Sequence, residues 1–212
     1  MLVEQVMQTS VVTITPKTSL PEALALIRQR GIRHLPVVEN DAMVGIVSDR
    51  DLKRAMASSA TSLDRHELQY LLDRVTVAEI MTPAVITASR RLPIEEAARL
   101  MVKEKISALP VTEEGRLIGI VTETDVLQLF VQGMGAGEPS SRIDVRVRKD
   151  GSGLADLVHA VEEAQVEIAS IMTLSDRSAH KDIVIRVRSI DPRVAIAKLR
   201  ARGYDVGGPM KL

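Results

Sequence analysis

No cysteine occurs in these 212 residues; tryptophan is absent as well, and there are one phenylalanine and two tyrosines. Without a thiol the chain can form no disulfide and do no thiolate chemistry, which points to a cytoplasmic setting. Without aromatics, aliphatic side chains and nine methionines must fill the core. No apolar run approaches the ~18 residues that a membrane span needs, and the opening MLVEQVMQTS lacks the basic-then-apolar pattern of a secretory leader. No membrane partner is expected. An excess of one charge is missing too, with 28 basic against 28 acidic side chains. Residues 1–139 carry 15 basic and 18 acidic groups and residues 140–212 carry 13 and 10, so neither part has the basic bias of a nucleic-acid binder. His34, His66, His159 and His180 stand in no metal-ligand spacing. There is no P-loop, G-x-G-x-x-G or G-x-S-x-G. No metal, cofactor or catalytic residue is assigned, and an enzyme is not expected.

What the chain does contain is a duplication. GIVSDRDL at 45–52 returns as GIVTETDV at 119–126. Residues 3–54 lie over 77–128 without a gap, and 16 of the 52 positions are identical, among them Val3/Val77, Met7/Met81, Leu35/Leu109, Pro36/Pro110, Gly45/Gly119 and Asp51/Asp125. Such identities, mostly apolar or Gly and Pro, first report shared packing. Each unit reads β-α-β-β-α. SVVTIT and AVITAS are extended runs. Leu20, Ala23, Leu24 and Ile27 recur at helical spacing, with Ser19 and Glu22 as a capping box and Gly31 as terminator. HLPVVE and MVGIVS are strands around the turn-prone ENDA. Between the units, SLDRHELQYLL predicts an inter-repeat helix.

Ser48-x-x-Asp51 and Thr122-x-x-Asp125 each follow a strand and open a helix. One reading is a capping device, in which hydroxyl and carboxylate satisfy the free N–H groups of the first turn. The other is ligand binding. A helix N-terminus with a hydroxyl gathers phosphate oxygens, and a carboxylate beside it accepts from both hydroxyls of a ribose.

GIRHLPVVE with MVGIVSDRDL, and KISALPVTE with LIGIVTETDV, resemble the two signature regions of a tandem cystathionine-β-synthase (CBS) domain pair, a Bateman module. The resemblance covers residues 3 to about 130. It implies a regulatory sensor of adenine nucleotides or related adenosyl ligands. It assigns Asp51 and Asp125 to ribose, Ser48 and Thr122 to phosphate or ribose, and Val11, Ile32, Val85 and Ile106 to the base. Arg33, His34 and Arg50 stand where phosphates sit in this family. Their counterparts Ser107, Ala108 and Thr124 are uncharged. A polyphosphate therefore favours the first half-site, and the second takes a less charged ligand or stays empty.

Beyond a Gly- and Ser-rich stretch at 131–141, RIDVRVR alternates, DGSGLADLVHAVEEAQ turns into an amphipathic helix, VEIASIMTL and KDIVIRVRS read as strands, and DPRVAIAKLRARG reads as a helix with YDVG after it. This β-α-β-β-α-β order predicts a ferredoxin-like topology. The segment resembles an ACT domain, which implies an amino-acid-like effector at the loop Asp150, Gly151, Ser152, Gly153 and Leu154. Where that family commonly has Pro before the key Gly, this chain has Ser152. The order CBS–CBS–ACT is similar to the acetoin-utilisation protein B family.

The expected fold is thus α/β (α+β): two βαββα repeats packed as a pair, plus a βαββαβ domain. The expected boundaries are 1–56, 57–76 (the insert), 77–130, 131–141 (the linker) and 142–212. The expected function is a stand-alone small-molecule sensor acting on a regulated partner protein. An enzyme with an unrecognised site in the cleft, or a structural oligomerisation scaffold, are the alternatives. Apolar helix faces such as Leu24/Ile27 and Met101 suggest a homo-oligomer.

Overall fold

The computed structural model describes residues 1–59, 72, 74–148, 153–174 and 180–207. The chain forms two compact units, Met1–Val126 and Leu127–Leu212. In the first, a short 3-10 turn (Val3–Gln5) precedes α1 (Leu20–Arg30), β1 (His34–Glu39), β2 (Ala42–Ser48) and α2 (Asp49–Ser59). The order returns as α3 (Val77–Ile80), α4 (Ile94–Glu104), β3 (Ala108–Glu113), β4 (Arg116–Thr122) and α5 (Glu123–Gly133), whose last turns continue past Val126.

Local chemistry sets the ends of these elements. Ser19 caps α1 as its sequence suggested: its backbone N–H and hydroxyl both donate to Glu22, at 2.9 and 2.8 Å. At the matching place in the second repeat, Pro93 offers no cap. Asn40 and Asp41 both take positive φ, 51° and 64°, the backbone of a tight two-residue hairpin between β1 and β2. Glu114 and Gly115 repeat this between β3 and β4. Both hairpins also slip register at the same place, Val37/Val38 and Val111/Thr112.

The predicted opening strands are shorter than expected. SVVTIT keeps one parallel bridge, Ile14 to Val37, and AVITAS keeps Ala88 to Val111. The cause is a crossover. Each opening segment starts on the other repeat and only then reaches its own hairpin. Gln8 bridges Ile120 and Thr82 bridges Ile46. The Val3 N–H donates to Leu92 O at 2.9 Å, and the Val77 N–H donates to Thr18 O at 2.9 Å. Two of the repeat's identities follow from this exchange. A Cβ on Gly45 would lie 2.5 Å from the Met81 sulfur, and one on Gly119 would lie 2.6 Å from that of Met7. The methionine of each repeat thus fills the space that the other repeat's glycine leaves open. Val3 and Val77 are fully buried by the same exchange.

The faces at Leu24, Ile27 and Met101 are covered within the chain, so they do not call for an oligomer. Exposed apolar side chains stand elsewhere, among them Val102 on α4 at 78% and Leu127 and Phe130 on α5 at 62% and 55%. Of the predicted inter-repeat helix, almost all lies outside the described residues. Leu72 is buried in the first repeat's core.

The second unit runs β5 (Ser141–Arg148), α6 (Gly153–Glu162), β6 (Ile168–Leu174), β7 (His180–Val187), α7 (Arg193–Ala201) and β8 (Asp205–Gly207). Its four-stranded antiparallel sheet has the order β6-β7-β5-β8. Ile143, Val145 and Val147 alternate inward from β5 onto Leu157, Ala160 and Leu199 of the two helices. The 131–141 stretch opens as the last turn of α5 and is then tied to the sheet. The Ser170 hydroxyl donates to Met134 O at 2.7 Å, Arg186 donates to the Ser140 hydroxyl at 3.1 Å, and Arg188 pairs with Glu138.

Candidate functional site

A cavity of about 320 Å³ lies between the repeats. Pockets for small ligands usually start at roughly this size. Its polar wall is the strand-to-helix step of the first repeat, with Ser48, Asp49, Arg50 and Asp51, together with Arg33 and His34 at the start of β1. Its other wall comes from the second repeat: Thr82 and Ala84 to Ile86 on the opening segment, and Lys105 to Ala108 between α4 and β3.

Seven of the predicted residues therefore meet in one place: Arg33, His34, Ser48, Arg50, Asp51, Val85 and Ile106. Carboxylate and hydroxyl come from one repeat and the apolar surface from the other. Val11 lines a separate groove of about 440 Å³ with Thr9, Val38 and Arg116. Ile32, Thr122 and Asp125 line neither of these two cavities.

The capping reading of the two Ser/Thr-x-x-Asp motifs is realised in both repeats. The Ser48 N–H and hydroxyl donate to Asp51 Oδ2 at 2.9 and 2.6 Å, and the Asp51 N–H donates back to the hydroxyl at 3.3 Å. Thr122 and Asp125 repeat this at 2.8, 2.6 and 3.4 Å. The cap holds one oxygen of each carboxylate and leaves Oδ1 for another partner. At Asp125 the Gln8 amide takes it, at 3.4 Å. At Asp51 no side chain among the described residues does so. The residue matching Gln8 is Thr82, too short to make the same contact.

Arg33 also has a partner in the other repeat. It lines the first cavity, but its guanidinium donates to the Thr124 hydroxyl at 3.2 Å, at the start of α5. His34 Nε2 and the Ser107 hydroxyl share a hydrogen bond of 2.9 Å. These pairs join the repeats where β1 and β3 begin. Burial lowers the His34 pKa, and the neighbouring Arg33 charge lowers it further against the weaker pull of Asp49, Asp51 and Glu123. The neutral imidazole is therefore favoured. Asp49 is held below the ordinary carboxylate range, chiefly by its hydrogen bond from Lys53.

Lys105, Gln8 and Thr82 escaped the sequence reading. The signal for Lys105 was available, since it stands where the first repeat has the helix-terminating Gly31. Gln8 and Thr82 are legible only once the crossover is known.

In the second unit, Asp150, Gly151 and Ser152 lie outside the described residues. Gly153 opens α6 so close to Val147 that a side chain there would collide with it. The Gly153 carbonyl accepts the Tyr204 hydroxyl at 3.0 Å. That hydroxyl also meets Asp156 at 2.9 Å, and burial with this contact pushes the phenol up to about 12. Leu154 is half exposed. His159 is exposed beside Glu162 and Glu163.

Comparison with known proteins agrees with this architecture. The CBS domain family matches residues 3–58 and 77–132. A CBS domain-containing protein of Dictyostelium discoideum is 37% identical over 142 residues, 66% of this chain and 98% of that protein. The CBS domain pair of protein MJ0100, solved with 5-methylthioadenosine and S-adenosyl-L-methionine, is 31% identical, with a TM-score of 0.54 over 65% of this chain and 98% of that one. The acetoin utilization protein designated AcuB from Vibrio cholerae is 31% identical, with a TM-score of 0.53 over 62% and 90% of the two chains. CBSX2, solved with AMP, is 32% identical, with a TM-score of 0.51 over 62% and 96%. No helix among the described residues is long and apolar enough to cross a membrane. With two matched regions that coincide with the two interlocked repeats, the chain belongs to the CBS-domain family as a tandem pair.

Proposed function

We propose that this protein is a regulatory sensor that binds an adenine nucleotide, AMP- or ATP-like, in the cavity between the CBS repeats. The observation that carries this reading is Asp51. Its Oδ2 is fixed by Ser48, no side chain among the described residues takes its Oδ1, and the residue lines a cavity that also holds cations and an apolar wall. Ribose hydroxyls donate to Asp51. Adenine lies against Val85 and Ile106. The phosphate faces Arg33, His34, Arg50 and the N-terminal turn of α2, where the helix dipole favours an anion. The same cations disfavour a sulfonium such as that of S-adenosyl-L-methionine, so a phosphorylated nucleoside is the better fit.

A ligand so held touches both repeats at once. It would fix the angle between them, and a partner protein that reads this angle would sense occupancy. No side chain of the cavity is needed as an acid, base or nucleophile in this role, and the protein acts as a sensor without turnover. We assign residues 142–212 to a ferredoxin-like ACT domain, on its β-α-β-β-α-β order and its β6-β7-β5-β8 sheet. Its effector would be amino-acid-like, held at Asp150 to Leu154. The exposed Leu127 and Phe130, on a helix that buries none of its residues, support a homo-oligomer. Light scattering would return at least a dimeric mass at micromolar concentration; a monomer contradicts that assignment.

Calorimetry with AMP, ATP and adenosine tests the site. Binding of the nucleotides, with heat lost in Asp51→Ala, supports it. Absence of heat for all three, or turnover of the bound nucleotide, refutes it.

A further inference from the structure

Lys105 ends α4 in the left-handed conformation, φ 55° and ψ 41°, with its backbone N–H donating to Met101 O. The first repeat fills the matching position with Gly31, at φ 62° and ψ 29°, donating to Ile27 O. The two turns do the same work, and glycine is the residue that does it without a Cβ penalty. The second repeat therefore keeps a side chain where its own backbone disfavours one. Two further observations bear on that side chain. It lines the cavity that holds Asp51, across from the first repeat's polar wall. It is exposed, and among the described residues it has no ion-pair partner.

The distribution of charge around the pseudo-twofold points the same way. Four basic positions surround this cavity, Arg33, His34, Arg50 and Lys105. Their counterparts in the other repeat are Ser107, Ala108, Thr124 and Gly31, none of them basic. The duplication has thus been made one-sided at every one of these positions. Resting on the nucleotide reading given above, we infer that Lys105 is a phosphate-recognising residue. The second repeat donates it to a half-site whose ribose carboxylate comes from the first, and it sets the preference for phosphorylated over unphosphorylated adenosine. Its ammonium supplies a mobile point charge, suited to a phosphate that the helix N-terminus alone does not neutralise. The ligand then bridges the repeats through charge as well as through the base.

The conformation of Lys105 makes this testable with opposite signs in one variant. Lys105→Gly removes the charge and the backbone penalty together. Lys105→Gln removes the charge and keeps the penalty. Full-length protein is titrated with AMP, ATP and adenosine by calorimetry, and melted without ligand. Lys105→Gly should melt roughly 2–4 °C higher, as a small gain does in a chain of this size. It should bind AMP and ATP about 5- to 10-fold more weakly while adenosine stays within about twofold, the behaviour of one lost charge-assisted contact. Lys105→Gln should show the same nucleotide loss with no rise in melting. If both variants bind AMP and ATP like the wild type while Asp51→Ala does not, Lys105 has no such role and the nucleotide site stands. Equal losses for adenosine and AMP would mean that Lys105 acts through the fold, which also overturns the assignment. A wild-type protein that binds none of the three overturns the nucleotide reading itself.

Discussion

The two ends of the duplicated unit, Ser48–Asp51 and Thr122–Asp125, share one backbone design and differ in everything around it. Both carboxylates are locked through Oδ2 by the preceding hydroxyl and amide, with distances that agree within about 0.1 Å. Around the second, protein groups complete the remaining valences. Gln8 donates to Asp125 Oδ1, and Arg33 donates to Thr124. Around the first, Asp51 lines a cavity together with Arg50 and Lys105, and no side chain among the described residues takes its Oδ1. A cap is enough to keep a Ser/Thr-x-x-Asp through duplication. What separates a cap from a site is whether the molecule has already used the second oxygen.

The largest expected effect breaks this comparison directly. Asp51→Ala removes the proposed acceptor of ribose hydroxyls and should weaken nucleotide binding by about 1.5–3 kcal/mol, the range for hydrogen bonds to a charged group. Asp125→Ala should leave that affinity within about twofold. Calorimetric losses of similar size in both variants would show the half-sites to be equivalent. Next in size is Arg33→Ala, which should cost AMP and ATP about tenfold and adenosine little, since only a phosphate meets its charge. Uniform losses across the three ligands would instead assign Arg33 to holding the repeats together through Thr124.

A smaller effect should appear on opening the second half-site. Gln8→Thr places there the residue found at position 82 and frees Asp125 Oδ1. A weak second binding event for adenosine should then appear in the titration, absent from the wild type. An unchanged single event would mean that the loss of basic groups, and not Gln8, closes that half.

Smallest of all is the effect of pH through His34. Burial and Arg33 lower its pKa in the fold below the ordinary value near 6.5. The unfolded chain then binds more protons between the two values. Stability is complete above about pH 6.5, declines as pH falls towards the lowered value, and levels off below it. A phosphate beside the imidazole reverses the preference and draws a proton in. AMP affinity should therefore rise a few-fold from pH 7.5 to 6, while adenosine stays flat. His34→Asn should remove the slope; a slope that persists in that variant would place the titrating group elsewhere.

Much of this was legible in the chain because it was written twice. The helix-cap residues Ser19 and Glu22, the Gly31 terminator and the hairpins around Asn40 and Glu114 follow from local chemistry, and local chemistry is what single-sequence reading sees. The crossover was not legible. Met7, Met81, Gly45 and Gly119 showed as identities, but nothing in their spacing said that each pairs with the other repeat. The same blind spot hid Gln8 and the bond from Arg33 to Thr124, because both act across the interface. Lys105 was missed for a different reason: a lysine after a helix looks like ordinary C-terminal charge unless it is set against Gly31 of the first repeat.

One titration bears on the central claim most directly: AMP into wild type, Asp51→Ala and Asp125→Ala, with stoichiometry fitted freely. The half-site difference predicts one AMP per chain, lost in Asp51→Ala and kept in Asp125→Ala. Two equivalent AMP per chain, or loss of the single event in Asp125→Ala, would contradict it.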